Sequence, residues 1–353
     1  MTRTKIAGIG MYVPSRVVTN NDLLKYMDTS DEWIQERTGI KERRYAHRTN
    51  ETTTTMGIEA AKIAIERAGL TPQDIDFIIF ATICPDYYFP GCGVLLQRAM
   101  KMKEIGALDV RDQCSGFIYA LSTGDQFIKT GMYKNILVVG AEKHSFGLDF
   151  STRGRNVSVI FGDGAGAVVL QPVDPSSNTG QGILSTHLHS DGESAEMLAM
   201  FNPGTHANHW TNGQILADFD KAEIGEMFFS HTMIDKAQVF PNMDGPAVFK
   251  KAVEKFPEVI MEALNANGLQ PADLRLLVPH QANLRISQFV QKKLRLRDDQ
   301  VQNNIQKYGN TTAASIPIAL CEAWEEGKVK EGDLVCLAAF GSGFTWGSVL
   351  LRW

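Results

Sequence analysis

Cys114 is one of five cysteines in a chain of 353 residues, and its setting suits chemistry better than the others'. In "LDVRDQCSGFIYALSTGDQFI" (108–128) the first residues read as the end of a buried strand, whereas Phe117, Ile118, Leu121, Phe127 and Ile128 recur at helical spacing. The pattern predicts a helix from about Ser115, with Cys114 at the strand-to-helix turn. Unpaired N–H groups and the positive end of a helix dipole lower a thiol that ordinarily titrates near ~8.5, so this position suits a nucleophile. Two further polar groups stand at similar places. His280 follows an apolar strand in "VPHQANLRI" (278–286), and Asn310 lies in "KYGNTTAASIPIAL", a loop opening a helix that Asn310 could also simply cap. A cysteine with an imidazole and an amide can attack an acyl carbon and steady the oxygen that gains charge. Cysteine hydrolases use the same three residue types in the same chain order, so hydrolysis stands as an alternative. Cys84, Cys92, Cys321 and Cys336 read as core filler.

The elements that must position these groups repeat. "AIERAGLTPQDIDFIIF" (64–80) parallels "ALNANGLQPADLRLLVP" (263–279), each a helix, a Gly-Leu-x-Pro-x-Asp turn and an apolar strand. "IFGDGAGAVVL" (160–170) parallels "AFGSGFTWGSVLL" (339–351), both read as glycine hairpins between strands. "GMYKNILVVGAE" (131–142) parallels "GKVKEGDLVCLAAF" (327–340), a turn leading into a strand. Unbroken apolar runs such as FIIFATI suit strands covered on both faces, here alternating with amphipathic helices. The expectation is two similar α/β halves, 1–172 and 180–353, packed as a pseudo-dimer. Gly131 and Gly327 are 196 apart (327 − 131), and the same offset carries Cys114 to Asn310. The two therefore should face one site, with His280 at a strand's C-terminal end, where open α/β sheets place ligands.

Composition narrows the field. A net charge of −5 speaks against nucleic-acid or anionic-membrane partners. No apolar run is long enough to span a bilayer, and the first residues lack a signal-peptide core. Scattered cysteines without a CxxC pair disfavour disulfides and zinc, and fit a reducing cytoplasm. His206 and His209 in "GTHANHW" lack an accompanying carboxylate or cysteine, so no metal is expected. The glycines of "FGDGAGA" lack the order and lysine of a phosphate loop.

In order and spacing, "DTSDEWIQERTGIKER" (28–43), "CSGF", "IFGDGAGA", "VPHQANLRI", "YGNTTAAS" and "FGSGFTWGS" resemble the β-ketoacyl-acyl carrier protein synthase III family of thiolase-like condensing enzymes. The resemblance implies an α/β fold of five layers, αβαβα, made of two duplicated halves, and a homodimer. It implies a decarboxylating Claisen condensation that starts fatty-acid chains, with Cys114, His280 and Asn310 catalytic. Acyl-CoA and malonyl-acyl carrier protein would be substrates, with no tightly bound cofactor. Backbone N–H groups of Cys114 and Ser342 would hold the acyl-enzyme oxyanion. Trp33 would stack on the adenine of coenzyme A with Arg153 on its other side, and Arg37, Thr38, Gly245 and Asn283 would complete the site. Trp33 and Arg37 are also spaced for a plain surface cation–π pair. Lys250, Arg285, Lys292 and Lys293, part of a basic cluster on an acidic chain, would dock the acidic carrier protein, or merely be a solvated helix face. A starter-unit ketosynthase of specialised metabolism and a non-catalytic scaffold of the same fold are the other readings.

Three features depart from the pattern. Asp112 and Gln113 before the cysteine are bulkier and more polar than expected, and Tyr308 stands where some relatives carry histidine. The segment 191–242 looks longer than usual by about a couple of dozen residues. Its apolar anchors Met227, Phe228 and Phe229 suggest that it folds onto the body near the pantetheine entrance.

Overall fold

The computed structural model describes residues 2–174, 176, 180–204 and 231–353. The first part of the chain runs β1 (Thr4–Tyr12), β2 (Val17–Thr19), α1 (Asn20–Leu23), α2 (Asp31–Thr38), β3 (Glu42–Arg44), α3 (Thr53–Arg67), β4 (Phe77–Ala81) and α4 (Cys92–Ala99). It continues through β5 (Gly106–Val110), α5 (Gly116–Lys129), β6 (Ile136–Glu142), α6 (Arg155–Ser158) and β7 (Gly164–Pro172). The second part runs β8 (Gly182–Ser190), β9 (Leu198–Ala199), α7 (His231–Asp235), β10 (Asn242–Met243), α8 (Gly245–Ala266) and β11 (Leu276–Pro279). It ends with α9 (Leu284–Leu294), α10 (Ile305–Tyr308), α11 (Ser315–Glu325), β12 (Leu334–Gly341) and β13 (Thr345–Arg352).

Two sheets carry the architecture. One has the order β1-β7-β6-β4-β5 and the other β11-β12-β13-β8. In the first, β4 runs parallel to β5 and β6, while β7 is antiparallel to β6 and β1. In the second, β11 and β12 are parallel and β13 is antiparallel to both its neighbours, the same pattern one strand shorter. A parallel bridge from Leu277 to Val301 stands where β5 stands in the first sheet.

Three cores define the layers. The central one joins α5 and α11 to the inner faces of both sheets through Phe117, Leu121, Ile316, Leu320, Val138 and Leu337. Both helices are buried nearly all round, as helices in the middle of a domain must be. The outer core of the first sheet packs α3 and α4 on it through Met56, Ala60 and Leu96. The outer core of the second packs α8 and α9 through Phe256, Ile260 and Val290. The result is α3/α4, sheet, α5/α11, sheet, α8/α9: five layers.

The repeated turns have the same chemistry in both parts. Asp74 accepts from the Thr71 N–H at 2.8 Å and Asp273 from the Gln270 N–H at 2.7 Å, each closing a one-turn 3-10 helix that aims the next strand. The glycine segments differ. "FGSGF" does turn β12 into β13, but "IFGDGAGA" follows α6 rather than a strand and enters β7 at Gly164. Its Asp163 instead ties the loop down, accepting from the N–H groups of Ala46 and Ser145.

Of the long segment, its two ends are described. β9 pairs with β10, so the chain that leaves at Ala199 returns beside it at Asn242. Met227, Phe228, Phe229, His206 and His209 lie outside the described residues.

Candidate active site

The nucleophile candidate sits in a 3-10 turn, Gln113–Ser115, that joins β5 to α5, one turn ahead of the helix proper. Gln113 has φ 43, a left-handed conformation uncommon for a residue with a side chain, so the turn is sharp and its cost is met by surrounding packing. Gly341, the last residue of β12, lies directly behind: a Cβ there would come within 2.6 Å of Cys114 Cβ. Only glycine permits that approach, and it brings the 342–344 turn against the cysteine.

Asn310 reaches the same place from the other half. Its N–H donates to Ile160 O at 2.9 Å and its C=O accepts from Gly162 N at 3.0 Å, so the "YGNT" loop is laced to the "IFGDG" loop. The Thr312 N–H donates to Asn310 Oδ1 at 2.8 Å, which leaves the amide NH2 for the site, where the asparagine lowers the Cys114 thiol. The offset of 196 is a result of helix lengths. Gly116 and Ser315, which begin α5 and α11, are 199 apart (315 − 116), and α11 is three residues shorter than α5. Ala313 is thus the positional counterpart of Cys114, and Asn310 arrives from three residues earlier along its loop.

His280 follows β11, its N–H donating to Ala338 O at 2.8 Å. Its Nδ1 lies 2.5 Å from Ser315 Oγ, the first residue of α11, and its Nε2 is buried without a partner. Burial drives its pKa down to about 3, with His144 adding to the effect, so the ring is neutral at physiological pH. With the Ser315 hydroxyl donating to Nδ1, the proton resides on Nε2, as a free donor.

The thiol corrects the sequence expectation. Burial pushes Cys114 up to about 12, helped by Glu142 and Asp112, while its own N–H and Asn310 pull the other way. A helix N-terminus is worth at most ~2 kcal/mol, or ~1.5 pH units at 1.36 kcal/mol per unit. Loss of solvation wins, and the resting group is S–H. Asp112, also raised by burial, to about 6, is ionised at neutral pH and has one buried oxygen unpaired.

The residues expected to hold coenzyme A separate into two groups. Trp33 is flanked by Arg37, whose Cζ lies 4.4 Å from the ring centroid, and by Arg155 at 4.9 Å. Arg153 is not there. Its Nε donates to Asp149 at 2.7 Å and its Nη1 to Asp235 O at 2.9 Å, turning it toward the end of the long segment. Arg155, in the same "STRGR" stretch, lies on Trp33 instead, its Nη1 donating to Asp28 O at 2.5 Å. Asn283 caps α9 and donates to Arg37 O at 2.8 Å, joining α9 to α2. Thr38 is buried with its hydroxyl donated to Ile34 O, and so serves the end of α2 rather than facing a ligand. Gly245 opens α8, capped by Asp244. A cavity of about 630 Å³ lies between the α6 segment and the end of the long segment, walled by Arg153, Asn156, Phe201, Phe240 and Met243.

Ser342 stands in the turn beside Cys114, its hydroxyl donating to Leu198 O, while Asp191 and Phe344 exchange backbone bonds of 2.8 and 2.7 Å. The base of the long segment therefore braces the turn. Lys250 on α8 and Arg285, Lys292 and Lys293 on α9 are exposed on two helices packed together. Tyr308 donates to Glu322 at 3.2 Å, away from the cysteine's partners. Among the described residues, one group not anticipated from sequence has metal-ligand character: donor atoms of Cys84, Glu142 and His144 lie within 4.8 Å of one another. Glu142 is already occupied, accepting from Thr82 Oγ1 and from the N–H groups of Ile83 and Cys84.

Comparison with known proteins agrees with this geometry. Residues 108–192 match the family model for 3-oxoacyl-[acyl-carrier-protein] synthase III, and residues 264–353 match the model for its C-terminal part. The β-ketoacyl-[acyl-carrier-protein] synthase III of Aquifex aeolicus is 45% identical over 350 residues, covering 99% of both chains. The crystal structure of 3-oxoacyl-[acyl-carrier-protein] synthase III from the same organism superposes with a TM-score of 0.85 at 44% identity, covering 99% of this chain and 100% of that one. The priming β-ketosynthase of the R1128 polyketide pathway superposes with a TM-score of 0.84 at 31% identity, covering 99% of this chain and 96% of the other.

Proposed function

The chain belongs to the β-ketoacyl-acyl carrier protein synthase III family, and from that premise we propose that it joins an acyl-CoA primer to malonyl-acyl carrier protein, giving β-ketoacyl-acyl carrier protein and initiating fatty-acid synthesis. Cys114 sulfur attacks the primer's thioester carbonyl, coenzyme A leaves as its thiol, and the backbone N–H groups of Cys114 and Ser342 hold the transient oxyanion. Malonyl thioester then loses CO2. The charge gathering on its carbonyl oxygen is met by two neutral donors, His280 Nε2–H and the Asn310 amide. The carbanion attacks the acyl carbon and Cys114 is released. The observation that carries this reading is a buried, neutral His280 whose Nε2 has no partner, with an asparagine close enough to Cys114 to lower its thiol. A hydrolase needs its histidine as a base for the thiol, and a histidine titrating near 3 is poorly suited to that.

Trp33, Arg37 and Arg155 are proposed to hold the nucleotide of coenzyme A, with Asn283 and Gly245 along the pantetheine arm. Arginine fits because its plane stacks while its charge meets phosphate. Lys250, Arg285, Lys292 and Lys293 would steer the acidic carrier protein. Pairing of two copies is proposed along β5, an edge strand with Leu108 38% exposed, flanked by the exposed Tyr87, Tyr88 and Phe89. The halves 1–172 and 180–353 are proposed as the duplicated units. No described helix is long and apolar enough to cross a membrane; with five free cysteines, the cytoplasm is the proposed compartment. A starter-unit ketosynthase is the second reading, favoured by the likeness to the R1128 priming enzyme.

Incubation with labelled acyl-CoA primers of two to ten carbons, followed by malonyl-acyl carrier protein, tests the reading. Acylation lost in Cys114→Ala, and malonyl-dependent release as a β-ketoacyl product, are expected. Release as free acid would instead mark a hydrolase.

A further inference from the structure

Behind Asn310 runs a buried polar chain that the reaction above does not use. His144 lies two residues beyond β6, its ring packed on Phe161 with centroids 4.4 Å apart. Its Nε2 is 2.5 Å from Thr312 Oγ1, and its Nδ1 is 3.6 Å from Cys84 Sγ. Thr312 is the residue whose N–H donates to Asn310 Oδ1 and so decides which end of the amide faces the site. Glu142 holds the far end, accepting from the Cys84 N–H at 3.1 Å.

Burial keeps both Cys84 and His144 uncharged. Burial, with the neighbouring Glu142, holds the Cys84 thiol well above the ordinary range, and its sulfur closes the Nδ1 side of the His144 ring. The same burial drives His144 down to about 3, so the ring is neutral, and its Nε2 pairs with Thr312 Oγ1. Thr312 needs such a tether. It has φ 48, a left-handed conformation that a β-branched residue seldom adopts, and the bond from Oγ1 to His144 holds its side chain in the turn whose N–H reaches Asn310 Oδ1.

We propose that His144 is a positioning residue for the condensation step, holding Thr312 so that Asn310 presents its NH2 to the developing enolate oxygen. The inference rests on Asn310 being a donor in the reaction assigned above. Full loss of an oxyanion donor costs 10²–10³ in rate, and a displacement near 1 Å costs on the order of 10². Thr312→Val keeps shape and branching but removes the hydroxyl, and is expected to lower condensation kcat about ten- to a hundredfold. Single-turnover acylation of Cys114, which does not use Asn310's NH2 on the enolate, should stay within about twofold. Thr312→Ser, which restores the hydroxyl, should recover most of the rate, and His144→Leu should behave like Thr312→Val.

Measurements on the full-length protein would follow acylation by intact mass and malonyl decarboxylation by CO2 release. Condensation unchanged in Thr312→Val, or acylation and condensation falling together in both variants, overturns the inference. A wild-type protein that acylates but never decarboxylates malonyl thioester overturns the proposed reaction instead, and the wild-type control distinguishes the two failures.

Discussion

The protonation state of Cys114 can be tested directly, because two physical effects of opposite sign meet there. Burial and the charges of Glu142 and Asp112 place the thiol at about 12. Granting the helix start its full ~2 kcal/mol, or ~1.5 units, the thiolate fraction at pH 7 remains on the order of 10⁻³ or less. Alkylation of Cys114 by iodoacetamide should therefore keep climbing between pH 7 and 9, by up to about tenfold per pH unit and less steeply near pH 8, where Glu142 ionises and raises the thiol further. Intact mass after timed quenching gives the rate, and Cys114→Ser supplies the background from the other four cysteines. His280→Ala should leave both the slope and single-turnover acylation by acyl-CoA within about threefold, since a histidine titrating near 3 is a weak base and is assigned here to the later step. A rate that levels off below about pH 8.5 would show that the helix start and Asn310 outweigh burial. A flat acylation profile, lost in His280→Ala, would assign the proton to His280 and revive the hydrolase-type mechanism.

Asp112→Asn removes a negative charge that raises Cys114, so alkylation at pH 7.5 should speed up about three- to tenfold, with little change near pH 5, where the carboxyl is already protonated. Arg155→Ala should raise KM for acyl-CoA about tenfold or more with kcat little changed, whereas Arg153→Ala, already committed to Asp149 and Asp235, should shift it by less than threefold; the opposite ranking in steady-state kinetics would restore Arg153 to the nucleotide. Replacing residues 204–236 by a short Gly/Ser link should alter the preference among acyl primers of two to ten carbons, because the segment's base braces the 342–344 turn and its far end meets Arg153. An unchanged profile with normal acylation would make the segment a surface elaboration.

What the sequence could and could not convey follows from the range over which each determinant acts. The alternation of strand and helix was legible because unbroken apolar strands follow a repeated Pro-x-Asp turn before β4 and β11, both local signals, whereas the five layers came from the family resemblance. Cys114, His280 and Asn310 could be nominated from strand ends and loop contexts, although the offset that linked Cys114 to Asn310 reflects a three-residue difference in helix length rather than strict symmetry. Orientation and solvation were not legible. Arg153 and Arg155 are two residues apart, and bonds to Asp149 and Asp235 on the first and to Asp28 on the second decide which one turns from Trp33. Thr38 is drawn inward by Ile34 one turn back. The sign of the Cys114 shift was missed because a helix start is written in the local sequence, while burial is supplied by Gly341 and Asn310 from more than 190 residues away. The His144–Thr312 bond spans 168 residues and has no local signature at all. In this fold the reacting groups belong to loops that sequence can locate, whereas their protonation and aim are set by the groups packed around them, so substitutions at Gly341, Ser315 or Thr312 should change the chemistry without touching a reacting atom.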